Sequence, residues 1–173
     1  MPLGDVEIRR FQPDEWRLYK AIRLKALHSD PNVFGSNHAK EAAYTDDKWQ
    51  SAIVDDKMGI FGLFHYEDVI GMTGIALARD DASGTTAKLW GSWLEKSWRK
   101  QGLSKKMYEA RLDWAKPHPA VRRIVVSHRQ SNAASKKANQ KHGFKFDRLE
   151  YHTWNDGVEE PEVFYVLNLP AKA

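Results

Sequence analysis

The segment from residue 87 to residue 128 constrains the fold of this chain more than any other segment. It begins with an apolar stretch, AKLWGSWL (87–94), passes through a basic turn into a helical pattern, and returns to a second apolar stretch, RRIVVSH (122–128). The prolines of KPHPA end the helical pattern, because proline cannot continue a helix. A strand, a helix and a strand in this order form a right-handed crossover, so the sequence predicts that these two strands are parallel.

The remaining segments surround this crossover with strands and helices. Residues 30–37 are predicted to form a loop, and Thr45 is predicted to cap a second helix over 45–54. Alternating or apolar runs predict further strands. The predicted order is β-α-α-β-β-β-α-β-α-β-β, an α+β (mixed α/β) fold whose sheet is mostly antiparallel. The segments that carry this prediction are 6–11, 13–27, 45–54, 59–66, 69–78, 87–94, 98–116, 122–128, 132–143, 144–154 and 162–169.

Composition narrows the classes of function. The chain contains no cysteine, which excludes disulfides, thiolate metal sites and a cysteine nucleophile. The N-terminal residues lack an apolar signal core, and no run reaches the length of a membrane span, so a cytoplasmic protein is expected. No repeat or linker interrupts the chain, which predicts one domain over residues 1–173. The seven histidines show no metal-ligand spacing, and no metal site is predicted.

The turn RKQGLS (99–104) lies directly after a predicted strand and opens a predicted helix. A helix N-terminus presents unpaired N–H groups and a partial positive charge, and glycine lets the backbone approach an anion closely. The turn therefore predicts a site for a phosphate-bearing ligand. The alternative is a strand-to-helix turn with a solvated basic face. A second motif, NAASKKANQKHGF (132–144), begins directly after the next predicted strand.

Both motifs, in this order and context, resemble the GCN5-related N-acetyltransferase (GNAT) superfamily, and the resemblance covers nearly the whole chain. It implies helices on both faces of the sheet and parallel strands four and five that splay apart. It also implies that acetyl-coenzyme A is the acetyl donor. Backbone groups of Leu94 and Lys96 would pair with the pantetheine arm, the N–H of Leu94 would polarise the thioester carbonyl, and Asn132 would lie beside the arm. The pyrophosphate would be bound by the loop residues Arg99, Lys100, Gln101, Gly102, Leu103 and Ser104.

The sequence departs from the family pattern at three positions. Ser104 replaces a glycine or alanine, and Lys100 replaces a frequent glycine. Asn139 stands where many members have a tyrosine that protonates the departing thiolate, and asparagine cannot donate such a proton.

The second motif resembles instead the branch that contains ribosomal-protein N-terminal acetyltransferases. In that branch a serine at the position of Ser135 has been assigned the donor role, so the resemblance implies that Ser135 belongs to the cofactor site and is catalytic. The alternative is a serine that bonds to its own helix. The residues that carry this resemblance are Asn132, Ser135, Lys141, Gly143 and Phe144.

A general base is also needed, because an amine must lose a proton to react. Glu95 lies just beyond strand four and is our predicted catalytic carboxylate; His128 and Glu150 are alternatives. Phe34 and Trp49 lie in the region that shapes the acceptor cleft in relatives, and we expect them to contact the acceptor.

Two functions of different classes follow from these observations. The first is N-acetyl transfer from acetyl-coenzyme A to a primary amine, on a small molecule or a protein, by direct attack in a ternary complex. The alternative is a catalytically weak module that senses acyl-coenzyme A. A net charge of +4 does not favour nucleic-acid binding, and no membrane partner is expected. We expect a monomer or a homodimer.

Overall fold

The computed structural model describes residues 3–172, which include a seven-stranded sheet with helices packed on both faces. The helices α1 and α3 cover one face and contribute to a core that includes Trp16, Leu27 and Trp49. The helix α4 covers the opposite face. The elements are β1 Val6–Arg10, α1 Trp16–Ser29, α2 His38–Ala42, α3 Asp46–Val54, β2 Met58–His65, β3 Asp68–Leu77, β4 Thr86–Leu94, α4 Leu103–Ala115, β5 Arg123–Arg129, α5 Ala133–Lys141, β6 Lys145–Thr153 and β7 Glu159–Asn168.

The sheet confirms the predicted fold class. Its strand order is β1-β2-β3-β4-β5-β7-β6, and every neighbouring pair is antiparallel except β4 and β5, which are parallel. The crossover between parallel strands that residues 87–128 predict is therefore present, with α4 as its helix. Among residues 3–172 no helix is both long and apolar enough to cross a bilayer.

The structure contains one short helix that the sequence analysis missed. The helix α2, His38–Ala42, lies between α1 and α3, so three helices rather than two precede β2. Asn37 caps it by accepting a hydrogen bond from the Lys40 N–H at 2.9 Å. Five residues are too few to show a periodic apolar pattern, which is why the sequence indicated no helix there.

The strands β4 and β5 pair over only three residues each. Thr86–Lys88 lie opposite Arg123–Val125, and the two strands have no further pairing toward their C-terminal ends. A bulge inserts one extra residue into β4. Met72 of β3 faces Trp93 and Gly74 faces Trp90, so a step of two residues in β3 corresponds to a step of three residues in β4. A bulge bends its strand, so β4 turns away from β5 and a V-shaped gap opens between them.

Gly91 lies in this bulge with a φ of +66°. A side chain in the left-handed region costs free energy that glycine avoids, so the bulge depends on glycine at this position. The gap that the bulge helps to open is the place where the candidate site is built.

Candidate active site

A cavity of about 530 Å³ occupies the gap between β4 and β5. Its walls come from the bulged part of β4, the start of α4, the end of β5, the first turns of α5 and the loop after α1. Thus the two motifs singled out in the sequence lie on opposite sides of one cavity. Of the predicted site residues, the structure brings the following to this cavity: Phe34, Leu94, Arg99, Lys100, Gly102, Leu103, Ser104, His128, Asn132 and Ser135.

The start of α4 presents a row of free backbone donors. The N–H groups of residues 101–104 have no hydrogen-bond acceptor among the described residues, and α4 has no side-chain cap. Lys100 and Gly102 have φ values of +63° and +80°, both in the left-handed region. This conformation costs a non-glycine residue about 1 kcal/mol. The cost gives a physical reason why the family pattern often has glycine at the position that Lys100 occupies in this chain. The turn has the geometry of an anion-binding site.

Arg99 fastens this turn to its surroundings. Its Nε donates to the Leu94 carbonyl and its Nη2 to Asp30 Oδ2, both at 2.8 Å. The same carboxylate oxygen accepts from Trp93 Nε1 at 2.6 Å. Burial raises the pKa of Asp30, but the hydrogen bonds from Trp93 and Arg99 outweigh this and hold the pKa below its usual value. Asp30 is therefore an anion at neutral pH. Its hydrogen bond with Arg99 connects the turn to the C-terminal end of α1.

The Leu94 N–H points into the cavity. Glu95 N–H donates to the Ile70 carbonyl of β3 at 2.9 Å, so the alternation of an antiparallel pair turns the backbone groups of Leu94 away from β3. On that side β5 has diverged and offers no strand partner. Because Arg99 takes the Leu94 carbonyl, the N–H is the backbone group of this residue that is left for a ligand.

His128 places a basic nitrogen at the end of β5. Its Nδ1 lies 2.7 Å from the Arg129 carbonyl, and since a carbonyl only accepts, Nδ1 carries the proton. In the neutral ring Nε2 is then unprotonated, and this atom is buried without a hydrogen-bond partner among the described residues. The ring stacks on Tyr165 with the centroids 5.4 Å apart, which fixes its orientation. His128 thus has the tautomer of a proton acceptor.

The helix α5 contributes one wall with polar groups. Asn132 caps the helix, because its Oδ1 accepts from the Ser135 N–H at 3.1 Å. Ser135 and Asn139 are four residues apart and share the face that lines the cavity. The Tyr108 hydroxyl, from α4, donates to Asn139 Oδ1. Burial raises the pKa of the Tyr108 phenol, although the charge of Arg111 opposes this, so the phenol is protonated at neutral pH.

Arg111 is a buried cation in the cavity wall. Its side chain donates to the Met107 carbonyl at 3.1 Å and to Ser92 Oγ at 2.9 Å, and no acidic side chain of the described residues pairs with it. The residue is 3% exposed, and burial lowers its pKa to about 10, which leaves it charged at neutral pH. A buried charge without a counter-ion is costly, which suggests a role beyond stability.

Several predicted site residues lie elsewhere. Glu95 forms an ion pair with Lys25 and is absent from the cavity wall. Glu150 is exposed beside Arg148 on β6. Trp49 is 2% exposed and packs in the core against Tyr19, with ring centroids 5.3 Å apart. Lys96 lies in a short 3-10 helix, Lys96–Trp98, and Gln101 lies in the turn, but neither lines the cavity. Gln101 Nε2 donates to the Ser97 carbonyl at 2.9 Å.

Sequence reasoning missed several polar residues of the cavity, of which Asp30, Tyr108 and Arg111 bear most on its chemistry. Tyr108 and Arg111 lie three residues apart in α4, one turn of the same face, among apolar core positions. Arg111, a charged residue on the apolar face of a predicted helix, was the feature of the sequence that could have indicated a functional role. Among residues 3–172 no group of three potential metal ligands is present.

Known structures share this architecture. A GNAT acetyltransferase from Streptococcus pneumoniae is 16% identical, with a TM-score of 0.80 over 95% of this chain and 99% of that one. The putative acetyltransferase YncA of Salmonella typhimurium, solved with its cofactor acetyl-CoA, is 17% identical, with a TM-score of 0.80 over 98% and 97% of the two chains. RimL, a ribosomal alpha-N-protein acetyltransferase solved with coenzyme A, is 15% identical, with a TM-score of 0.73 over 96% and 95%.

At these identities the structures establish the fold, and the family follows from the sequence. None of the curated proteins matches this chain. The family model described as an acetyltransferase (GNAT) domain matches residues 5–145, most of the chain. With the parallel, diverging β4 and β5 and the open turn at the start of α4, this match identifies the chain as a member of the GNAT acetyltransferase family.

Proposed function

We propose that this protein transfers an acetyl group from acetyl-coenzyme A to a primary amine by direct attack in a ternary complex. The observation that carries the proposal is the continuous cavity between β4 and β5, with free N–H donors at one end and an unprotonated histidine nitrogen in its wall. Acetyl-coenzyme A supplies an acetyl group activated as a thioester. No nucleophilic side chain is required, because the amine itself attacks.

The residues present fit this donor. The N–H groups of residues 101–104 would bind the pyrophosphate, and the Leu94 N–H would bind farther along the gap. Asn132, whose Oδ1 is taken by the helix cap, retains its Nδ2 as a donor at the cavity wall. We expect Lys100 to add positive charge beside the phosphates, since it is exposed at the same turn.

We assign the general base to His128, in preference to Glu95 and Glu150. It lines the cavity, and its Nε2 is free to take the proton that the amine must lose. Glu95 is held by Lys25, outside the cavity wall.

Of the five hydroxyl side chains that line the cavity, we consider two as the group that returns a proton to the sulfur, those of Ser135 and Tyr108. A phenol has a reference pKa of about 10, and although burial raises the pKa of Tyr108, the phenol is still better matched to a thiol, at about 8.5, than an aliphatic hydroxyl is. We therefore place the donor role on Tyr108, held by Asn139, and keep Ser135 as the alternative.

The first prediction tests the cofactor site and the reaction together. Gly102→Glu places a negative charge at the predicted pyrophosphate site, so coenzyme A affinity should fall by about 3 kcal/mol or more, measured by calorimetry. Because Gly102 has a φ of +80°, any side chain is strained there, and Gly102→Ala is the control that carries the strain without the charge.

We expect the wild type to release thiol from acetyl-coenzyme A when amines are supplied. Coenzyme A binding without thiol release from a broad amine panel would instead support the sensor function.

The second prediction concerns the base. His128→Gln keeps a polar side chain of similar size but cannot accept the proton, so kcat at neutral pH should fall by roughly 10²–10⁴. The remaining rate should rise with pH, because more of the amine is then deprotonated in solution. The control is His118→Gln, since His118 stacks on Trp114 outside the cavity wall. Near-normal kcat in His128→Gln would refute the assignment.

The third prediction separates the two hydroxyls. Tyr108→Phe should lower kcat by roughly ten- to a thousandfold with little change in coenzyme A affinity, because the proton is needed only as the sulfur gains charge. Ser135→Ala should stay within about threefold of the wild type. The reverse pattern would give the donor role to Ser135.

The fourth prediction concerns Arg111. Arg111→Met removes a buried charge that has no acidic partner, so the free energy of unfolding should stay the same or rise by about 1 kcal/mol. We expect kcat to fall by roughly 10²-fold, because negative charge that forms at the sulfur would lose a buried cation of the cavity wall. Arg111→Lys, which keeps the charge, should retain more activity. A large loss of stability with normal kcat would show that Arg111 is structural.

A further inference from the structure

A second buried arginine lies on the face of the sheet that α4 does not cover. Arg23 of α1 donates from Nε and Nη2 to the two carboxylate oxygens of Glu41, at 2.9 and 2.8 Å. Both side chains are buried. Burial raises the pKa of Glu41, but the hydrogen bonds and charge of Arg23 outweigh it and lower the pKa. The pair is therefore ionised, and Glu41 satisfies two of the three guanidinium nitrogens.

The third nitrogen lacks an acceptor. Arg23 Nη1 is buried with no hydrogen-bond partner in the described part of the chain, and the same holds for Trp90 Nε1. Buried polar groups are almost always hydrogen-bonded, and each one left unpaired is destabilising. Both groups are N–H donors, so the missing partner is an acceptor.

These donors lie behind the wall of the cavity, at the β4 bulge. The guanidinium carbon of Arg23 is 5.2 Å from the centroid of the Phe34 ring and 5.4 Å from that of the Trp90 ring. A methyl group added to Gly91 would lie 3.4 Å from Nη1. Phe34, Trp90 and Gly91 all line the cavity. Arg23 is not itself a wall residue, so Nη1 lies just behind the cavity surface, next to Gly91 and the rings of Phe34 and Trp90.

The charges of the cavity wall favour an anion. Asp30 is the acidic residue among the wall residues, and its carboxylate is taken by Arg99 and Trp93. Because Arg99 is itself paired with Asp30, the wall residues whose positive charge is uncompensated are Lys100 and Arg111. A positive field of this kind attracts anionic ligands and repels polycations.

We propose that Arg23 and Trp90 form a subsite for a carboxylate of the acceptor, so that the acceptor is a primary amine that carries a carboxylate, as a free amino acid does. The inference rests on the proposed function and narrows its acceptor class. The carboxylate oxygens accept from Arg23 Nη1 and Trp90 Nε1, which supplies the partners that both donors lack. Polyamines and aminoglycosides do not fit this subsite, because they are polycations.

The experiment compares amines that differ in a single group. The common α-amino acids and their α-amides are supplied with acetyl-coenzyme A, and spermidine serves as the polycation. Thiol release gives kcat/KM, and calorimetry of the same compounds with the protein gives affinity independently of turnover. We expect the best amino acid to exceed its amide at least tenfold in both measurements and to exceed spermidine.

Two variants test the named donors. Trp90→Phe removes Nε1, keeps an aromatic ring and leaves the Arg23–Glu41 pair intact. Arg23→Lys keeps the charge beside Glu41 and removes Nη1. Each should bring the ratio between acid and amide toward one. The control is Arg17→Lys, the same change on an exposed residue of α1 that packs over Trp16, and it should leave the ratio unchanged. If Arg23→Lys does not fold, Trp90→Phe alone decides.

The outcomes separate this inference from the proposed function. Acetyl transfer with equal use of acids and amides, or with a ratio that neither folded variant changes, overturns the subsite and leaves the transferase standing. Selective binding of amino acids that Trp90→Phe weakens, without acetyl transfer to any amine, supports the subsite and overturns the proposed function. Preference for spermidine over every free amino acid also overturns the subsite.

Discussion

The divergence of β4 and β5 governs the rest of this structure. Two parallel strands would normally continue their ladder, since each unpaired N–H and C=O is costly when buried. Here the bulge at Gly91 bends β4 after three paired residues, and the backbone beyond Lys88 loses its neighbour on one side. The Leu94 N–H, the free start of α4 and the end of β5 then face a common cavity. The missing pairing between β4 and β5 thus leaves backbone N–H groups free to donate hydrogen bonds to a ligand.

The same bulge lies between two buried arginines. Arg111 approaches from the α4 side through Ser92, and Arg23 lies on the α1 side beside Gly91. They differ in how their charge is compensated. Glu41 neutralises Arg23 and leaves one nitrogen unpaired, whereas Arg111 has neutral hydrogen-bond acceptors and its full charge. Both features lower the stability of the free protein. In the proposed roles, the unpaired nitrogen of Arg23 binds the acceptor carboxylate, and the charge of Arg111 stabilises negative charge on the sulfur.

Local patterns made much of the architecture predictable. The crossover from 87 to 128 followed from the order of apolar runs and from the prolines of KPHPA, and the Thr45 cap followed from its position before a helical pattern. The turn at 99–104 could be predicted because its residues are consecutive. Its glycine, its basic residues and the start of the helix are therefore visible together in one short segment of the sequence. The one-turn helix α2 was missed, since its stability comes from Asn37 and from contacts rather than from periodicity.

The sequence by itself determined the fold class, the parallel crossover and the glycine-containing turn at the start of α4, because these depend on residues close together in the chain. The tertiary structure decided which side chains meet in the cavity. Tyr108 reaches Asn139 across 31 positions and Arg111 reaches Ser92 across 19, and nothing in their local patterns specifies either partner. It also favours His128 over Glu95 as the base that we propose, because an ion pair with Lys25 holds Glu95 while a backbone carbonyl orients His128. Packing of distant segments brings such groups together, and the spacing of residues along the chain does not encode it.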